Sequence, residues 1–219
     1  MGSFNLFLQD RLIFELLYTA LILFFTLSIY VKASRFYSLS SHKGFRFFGN
    51  AFLSFAVAYA IRFAIGLVEG APYAWILSIL AVLMSIAFFY TICLFGFYLV
   101  YSLVWKEQKT REYILHVAAL AIAILSVLFG SEFMFVSQLA VLAYASVVSY
   151  DNYLKDRRKI QQLYFIAMVL GFAGFLANSL LPIISEVYPP FVIYVYAITV
   201  SIFLIIFYCV TGRWLKEND

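Results

Sequence analysis

Seven long runs of apolar residues, each about as long as one crossing of a lipid bilayer, constrain this chain more than any other feature. A hydrocarbon core about 30 Å thick requires about 20 residues of α-helix. The runs are continuous rather than alternating, so they predict helices and not barrel strands. We therefore predict an all-α polytopic membrane protein with seven transmembrane helices in one domain, residues 1–219. The predicted helices cover residues 12–31, 47–68, 73–105, 113–129, 132–150, 162–184 and 190–212.

The composition argues against several classes of soluble protein. Apolar residues make up 65% of the 219 residues and charged residues only 12%, whereas charged residues average about 25% in soluble domains. A soluble enzyme, a disordered chain and a disulfide scaffold are therefore excluded. We expect a multi-pass protein of the cell membrane, surrounded by membrane lipids and without a nucleic-acid partner. The first residues lack the basic start and the cleavage site of a signal peptide, so the first helix is expected to be retained.

Lysine and arginine concentrate at one end of the predicted bundle. The loops of membrane proteins that face the cytoplasm are enriched in these residues, and 13 of the 15 here lie in alternate connections and the C-terminal tail. This pattern predicts an external N-terminus and a cytoplasmic C-terminus. The residues are Lys32, Arg35, Lys43, Arg46, Lys106, Lys109, Arg111, Lys155, Arg157, Arg158, Lys159, Arg213 and Lys216.

The order of spans and connections indicates an internal repeat. Helices 1–3 and helices 5–7 both have a span, a basic connection, a span, a short acidic connection with proline, and a span. Placing helices 2–3 on helices 6–7 aligns Arg62 with Asn178 and Cys93 with Cys209. The pattern favours a 3+1+3 arrangement in which helix 4 links two units, a plan known in transporters.

Four strongly polar side chains share one predicted depth, in the half of the bundle nearer the exterior. They lie on four different helices and are Glu15, Arg62, Gln138 and Asn178. A charged residue at mid-membrane costs about 2.5–3.5 kcal/mol on insertion scales, so it normally faces a partner or a water-filled cavity. We predict that the four converge on a ligand-binding pocket open to the exterior, which favours an anionic or carbonyl-bearing ligand.

A purely structural role for these residues stays open at this point. Arg62 and Glu15 would then clamp the first two helices together, or Arg62 would extend outward along a lipid-facing surface. Asn and Gln often serve only as hydrogen-bonding groups between membrane helices. Aromatic residues near the ends of helices 3 and 7 are typical of the membrane interface, with one or two available for a pocket mouth. They are Tyr73, Trp75, Tyr188, Tyr194 and Tyr196.

The sequence contains no catalytic or metal-binding pattern. Two histidines alone, His42 and His116, make a weak metal signal, and we expect a solvated loop histidine and a histidine at a helix end. Cys93 and Cys209 lie in apolar runs and resemble small buried hydrophobic residues. No nucleophile accompanies a base at helical spacing, and neither a Gly-rich phosphate loop nor a His-Glu-x-x-His pattern occurs. We therefore predict no enzymatic activity, no cofactor and no metal.

The residues 41–48, Ser-His-Lys-Gly-Phe-Arg-Phe-Phe, run into helix 2 and Arg62. This stretch resembles the start of helix 2 in small, mostly uncharacterised prokaryotic seven-helix proteins and in membrane sensor modules that precede histidine kinases. The resemblance implies reception of a signal within the membrane. The helix layout alone is similar to SWEET and PQ-loop transporters, although the chain has no Pro-Gln pair. Helix 7 lacks the central lysine that a microbial rhodopsin needs for retinal.

Two functions from different classes follow from these observations. The first is a ligand-sensing or partner-binding seven-helix protein, with a small external ligand and a membrane or cytoplasmic partner protein. The alternative is a small-solute or lipid transporter with a SWEET-like 3+1+3 layout. A path that crosses the midplane would favour transport, whereas a cavity closed there would favour sensing.

Overall fold

In the computed structural model, the described part of the chain consists of seven helices. The described backbone covers residues 2–69, 74–104, 112–157, 159–187 and 191–212. Within it, the side chains of some residues are not described: 2–12, 68–69, 74–78, 159–160, 163, 180–187, 191 and 212. The helices are α1 (Gly2–Ser40), α2 (Lys43–Glu69), α3 (Ala74–Val104), α4 (Glu112–Phe129), α5 (Ser131–Lys155), α6 (Lys159–Val187) and α7 (Phe191–Gly212).

The predicted all-α class and the predicted helices are confirmed for these residues. Among the described segments, six are long and apolar enough to cross a membrane: Ile13–Ser40, Lys43–Leu67, Ile79–Val104, Glu112–Phe129, Ser131–Lys155 and Val192–Thr211. In α6 the described apolar segment, Tyr164–Ser179, is shorter. Several predicted residues lie outside the described part, among them Tyr73, Tyr188 and all three basic residues between α3 and α4.

The first helix is longer at both ends than its apolar run. We predicted residues 12–31, whereas α1 extends from Gly2 to Ser40. Lys32 and Arg35 end the apolar run but do not end a helix, because both are good helix formers. The helix ends where Ser41 adopts a left-handed conformation with φ of 54°, which is a common helix stop. Hydropathy therefore marked the apolar run and not the full helix.

Helix contacts close into a ring. α1 packs against α2 and α7, α3 packs against α2 and α5, and α6 packs against α5 and α7. α4 contacts α3 and α5, and its buried residues are the small Ala119, Ala123 and Ser126. Its large apolar side chains, such as Val117 and Leu128, are exposed. α4 therefore lies outside a ring of six helices.

The turn between α4 and α5 is a single residue, Gly130. Its φ is 111°, in a region where a side chain would be strained. Its backbone N–H donates to the Ser126 carbonyl (3.1 Å), and its own carbonyl accepts from Phe133 (3.2 Å). This tight turn holds the start of α5 directly beside the end of α4.

Candidate functional site: an aromatic cavity with a polar end

The ring encloses a cavity of about 390 Å³. Its described lining comes from α2, α3, α5, α6 and α7. Along α2 it extends from Phe52 to Ile65, a distance of about 20 Å at the helical rise of 1.5 Å per residue. Phenylalanine dominates the lining: Phe52, Phe55, Phe88, Phe89, Phe95, Phe135, Phe175 and Phe203. The lining therefore suits an apolar or aromatic molecule.

Buried side chains close one end of the cavity. Phe48 lies one helical turn beyond Phe52, with the two ring centres 4.9 Å apart. Phe48 also packs edge-on against Tyr164 at 5.1 Å. Val210, one turn beyond the lining residue Ile206, is fully buried. At the other end, Ser131 is an exposed lining residue at the start of α5, so the cavity reaches the surface beside the α4–α5 turn.

Polar groups gather at the end of the cavity that is nearer Ser131. The polar lining residues are Tyr59, Arg62, Ser131, Asn178 and Thr199. Among the described lining residues none is acidic, and Arg62 is the one that carries a charge. The cavity thus combines a long apolar body with a single cationic group near its open end.

Tyrosines from three helices hold the guanidinium of Arg62. Its Nη2 donates a hydrogen bond to the hydroxyl of Tyr196 at 3.2 Å. Its central carbon lies 5.6 Å from the ring centre of Tyr59 and 5.8 Å from that of Tyr196. Tyr18 stacks on Tyr196 with ring centres 4.1 Å apart, and its hydroxyl is 3.0 Å from that of Tyr59. Such cation–π contacts contribute up to about 2 kcal/mol when they are shielded from water.

Glu15, on α1, lies beside Gly66 of α2, one helical turn beyond Arg62. Its Oε2 would be 3.9 Å from a Cβ added at Gly66, and Gly66 occupies the same face of α2 as Arg62 because the two are four residues apart. The carboxylate attracts the guanidinium through its charge. The described contacts of the Arg62 guanidinium are to Tyr59 and Tyr196, and Glu15 adds an electrostatic attraction.

Asn178 approaches the cavity from α6. Its Nδ2 donates to the carbonyl oxygen of Gly174 and to the hydroxyl of Thr199, both at 2.8 Å. The Thr199 hydroxyl in turn donates to the Val195 carbonyl at 2.8 Å. The Oδ1 of Asn178 is buried and has no hydrogen-bond partner among the described residues. The structure therefore brings Arg62 and Asn178 to one cavity.

Gln138 lies between α3 and α5, and the described cavity lining does not include it. Its side chain is fully buried, and a Cβ added at Gly96 would collide with its Oε1. Neither amide atom has a partner of hydrogen-bonding geometry within the described chain, although the Cys93 thiol lies within interaction range. Because Gly96 has no side chain, the amide of Gln138 fits between α3 and α5.

Three residues of the polar end carried no distinguishing signal in the sequence. Tyr18, Tyr59 and Thr199 contact the polar network, but the chain contains 17 tyrosines and hydroxyl residues are common in membrane helices. Tyr59 lies three residues before Arg62, on the same side of α2, and this spacing was the available clue. Tyr196 was predicted as an interface residue that could serve a pocket mouth.

A second polar cluster lies between α3 and α4. His116 Nδ1 is 2.7 Å from the hydroxyl of Tyr90, and its Nε2 is 3.0 Å from that of Tyr98. One turn earlier on α4, Glu112 forms a salt bridge of 3.0 Å with Arg46. Both imidazole nitrogens are thus engaged, and the cluster joins α4 to the ring. We had expected only a histidine at a helix end.

Comparison with known proteins yields one relative over nearly the whole chain. An uncharacterized protein from Archaeoglobus fulgidus is 30% identical over 222 residues, covering 91% of this chain and 92% of that protein. No protein-family model and no solved structure matches the chain.

Proposed function

This chain belongs to the same family as the Archaeoglobus fulgidus protein, and we propose that it is a non-enzymatic membrane protein that senses a small amphipathic ligand. The observation that carries the proposal is the aromatic cavity with Arg62 at its polar end. Ligand sites are typically apolar clefts of about 300–1,000 Å³ with a few polar groups that fix orientation. The cavity meets this description, and its single cation favours an anionic or carbonyl-bearing head group.

The cavity passes the middle of α2, between Phe52 and Ile65, as a transport path would. We infer sensing rather than transport because packed side chains lie beyond the Phe52 end of the cavity. Phe48 and Tyr164 pack against each other one turn beyond Phe52, and Val210 is buried one turn beyond Ile206. A transporter in this conformation would have to part them to pass a substrate. The 3+1+3 repeat remains part of our proposal, and it is supported by the position of α4 outside the ring. A ligand-bound bundle would signal to a membrane or cytoplasmic partner, as the resemblance of residues 41–48 to sensor modules implies.

Filling the cavity tests the proposal. A Cβ at Gly171 would meet no atom within 4 Å, so Gly171→Leu should fold and occupy ligand space. We expect purified protein in lipid nanodiscs to bind radiolabelled decanamide saturably, Gly171→Leu to lose this binding, and Gly171→Ala to keep it within a few-fold. Equal binding by the wild type and Gly171→Leu would contradict a ligand role for the cavity. Decanamide uptake into proteoliposomes, absent if the protein only senses, would instead support transport.

The orientation is proposed from the positive-inside rule. Ser131 and Lys155 are exposed residues at opposite ends of α5, so Ser131→Cys and Lys155→Cys make a matched pair. We expect a membrane-impermeant thiol reagent applied to intact cells to label Ser131→Cys at least tenfold more than Lys155→Cys. The wild type gives the background from Cys93 and Cys209. Labelling of Lys155→Cys alone would reverse the proposed topology.

A further inference from the structure

The turn between α4 and α5 lies deeper in the bundle than the ends of the neighbouring helices. Gln138 of α5 packs against Gly96 of α3, and the two helices run in the same direction. Ser131, at the start of α5, is seven residues outward from Gln138, where outward means towards the α4–α5 turn. The matching residue of α3 is Phe89, so α3 continues to Ala74 for about 22 Å beyond the turn.

α6 likewise continues past the turn. Phe175 lies opposite Phe135 of α5, with ring centres 6.0 Å apart, and α6 runs outward from there to Val187. Because Ser131 is only four residues outward from Phe135, α6 extends about 12 Å beyond the turn. In the described residues, α3 and α6 are thus left without α5 between them.

Three residues mark the base of this opening, which we call the lateral gap, and all three line the cavity. They are Phe89 of α3, Ser131 of α5 and Asn178 of α6. Ser131 is also exposed at the surface. The cavity therefore opens into the lateral gap.

The cationic end of the cavity lies at the depth of the gap. Phe55 of α2 packs against Phe95 of α3 with ring centres 4.7 Å apart. Arg62 is seven residues outward from Phe55, just as Phe88 is seven residues outward from Phe95. Since Phe88 is level with the start of α5, a head group bound at Arg62 lies beside the gap. The apolar body of the same ligand points towards the midplane.

The rim of the lateral gap is apolar. Residues 79–88 of α3, which lie outward of the turn, contain no charged residue, and Ser85 is the one polar residue among them. Leu83 in this segment is 58% exposed, and Leu128 and Phe129 at the end of α4 are 70% and 75% exposed. Exposed apolar surface of this extent is typical of contact with a membrane or a partner. Here it belongs to segments apolar enough to cross a membrane, so it faces lipid.

The shortness of α4 brings lipid head groups to the gap. Its apolar segment has 18 residues, whereas that of α3 has 26, a difference of about 12 Å in length. A bilayer thins around a short membrane helix, so the head groups beside α4 lie near the α4–α5 turn. Glu132, an exposed acidic residue in the first turn of α5, is at this level. The head groups are then at the depth of Arg62 as well.

We propose that the cavity takes its ligand from the lipid layer through the lateral gap, so that the ligand is a membrane-dissolved amphiphile and not a water-borne solute. This inference rests on the proposed ligand-binding function. An amphiphile in this leaflet has its head group at the depth of Arg62 and its chain directed towards the midplane. The cavity runs in the same direction, so the molecule passes over the α4–α5 turn without inverting.

The association rates of octanamide and dodecanamide test the source of the ligand. Each methylene raises partition into lipid about fourfold, so four of them raise it roughly 200-fold. With radiolabelled amides, rapid filtration and protein in nanodiscs, we expect the association rate constant, referred to the aqueous concentration, to be roughly 50-fold or more higher for dodecanamide. Gly171→Leu gives the background from amide dissolved in the nanodisc lipid. Rate constants within a few-fold of each other would show entry from water and overturn the inference.

A bulky side chain at the base of the gap tests the route. Ser131→Trp should slow association and dissociation of dodecanamide by about tenfold each and leave the equilibrium affinity within about threefold, because entry and exit share the narrowed path. Val136→Trp, on a lipid-exposed face of α5 outside the described lining, should leave both rates unchanged. Unchanged rates in a folded Ser131→Trp would refute the lateral gap as the route.

The two experiments separate this inference from the proposed function. If Gly171→Leu binds the amides as the wild type does, the proposed function itself fails. If the cavity binds them but the two association rate constants agree, only the lipid route fails. Should Ser131→Trp not fold, the amide comparison on the wild type decides alone.

Discussion

Replacing Arg62 with leucine should weaken decanamide binding by about 10- to 100-fold, because hydrogen bonds to charged groups contribute about 1.5–3 kcal/mol. The guanidinium is the charged group among the described lining residues, so no neighbour replaces it. Binding would be measured on purified protein in nanodiscs, beside the melting temperature with and without decanamide. We expect the variant to fold and to lose ligand-dependent stabilisation.

Tyr196→Phe is the control for this experiment. It removes the hydroxyl that accepts from Arg62 but keeps the ring that stacks on Tyr18 and lies under the guanidinium. We expect its affinity to stay within about fivefold of the wild type, since one hydrogen bond contributes about 1 kcal/mol. A large fall in the melting temperature of Arg62→Leu, equal with and without ligand, would instead identify Arg62 as a structural clamp.

Replacing Gly96 with leucine should destabilise the bundle more than any other change proposed here. A Cβ at this position would collide with Oε1 of the fully buried Gln138 and lie 3.1 Å from Cγ1 of Val141. Overpacking of this kind typically costs about 1–3 kcal/mol, and the cost rises when the neighbouring side chain has no free space to enter. We expect a clearly lowered melting temperature and accelerated thermal inactivation in nanodiscs.

The same substitution at Gly171 provides a matched control, because that position faces open space. Gly171→Leu should be neutral or slightly stabilising, since leucine favours a helix over glycine by up to about 1 kcal/mol. The steric cause can be checked directly: Gly96→Ala should recover stability when Gln138→Ala is added. If Gly96→Leu and Gly171→Leu melt alike, the contact between Gly96 and Gln138 does not limit how closely α3 and α5 pack.

The positions of the helices were predictable because the bilayer imposes a minimum apolar length on each crossing. The full extent of α1 was not, because the polar residues between Lys32 and Ser40 interrupt the apolar run without breaking the helix. Helix ends depend on backbone conformation, such as the positive φ of Ser41, and hydropathy does not report it. The ring order of the helices was equally hidden, since it depends on which faces interlock.

Depth along each helix could be counted from the sequence, but direction around the helix could not. Arg62 and Asn178 were selected for their cost in a membrane, and both line the cavity. Gln138 was selected for the same depth, yet its side chain lies between α3 and α5. The aromatic lining could not be selected at all, because phenylalanine occurs 25 times in the chain and most apolar positions offer no contrast.

The length of α1 gives the polar end of the cavity a mechanical connection. The helix has 39 residues, or about 58 Å at 1.5 Å per residue, against a hydrocarbon core of about 30 Å. Tyr18 contacts Tyr59 and Tyr196. About 24 Å of α1 lies on its N-terminal side, and we take the Tyr18 contact as the point about which α1 tilts. A tilt of roughly 5° about this point displaces the far tip by about 2 Å. Any rotation that an occupant imposes on the tyrosine stack is therefore carried to the N-terminal tip by one unbroken helix.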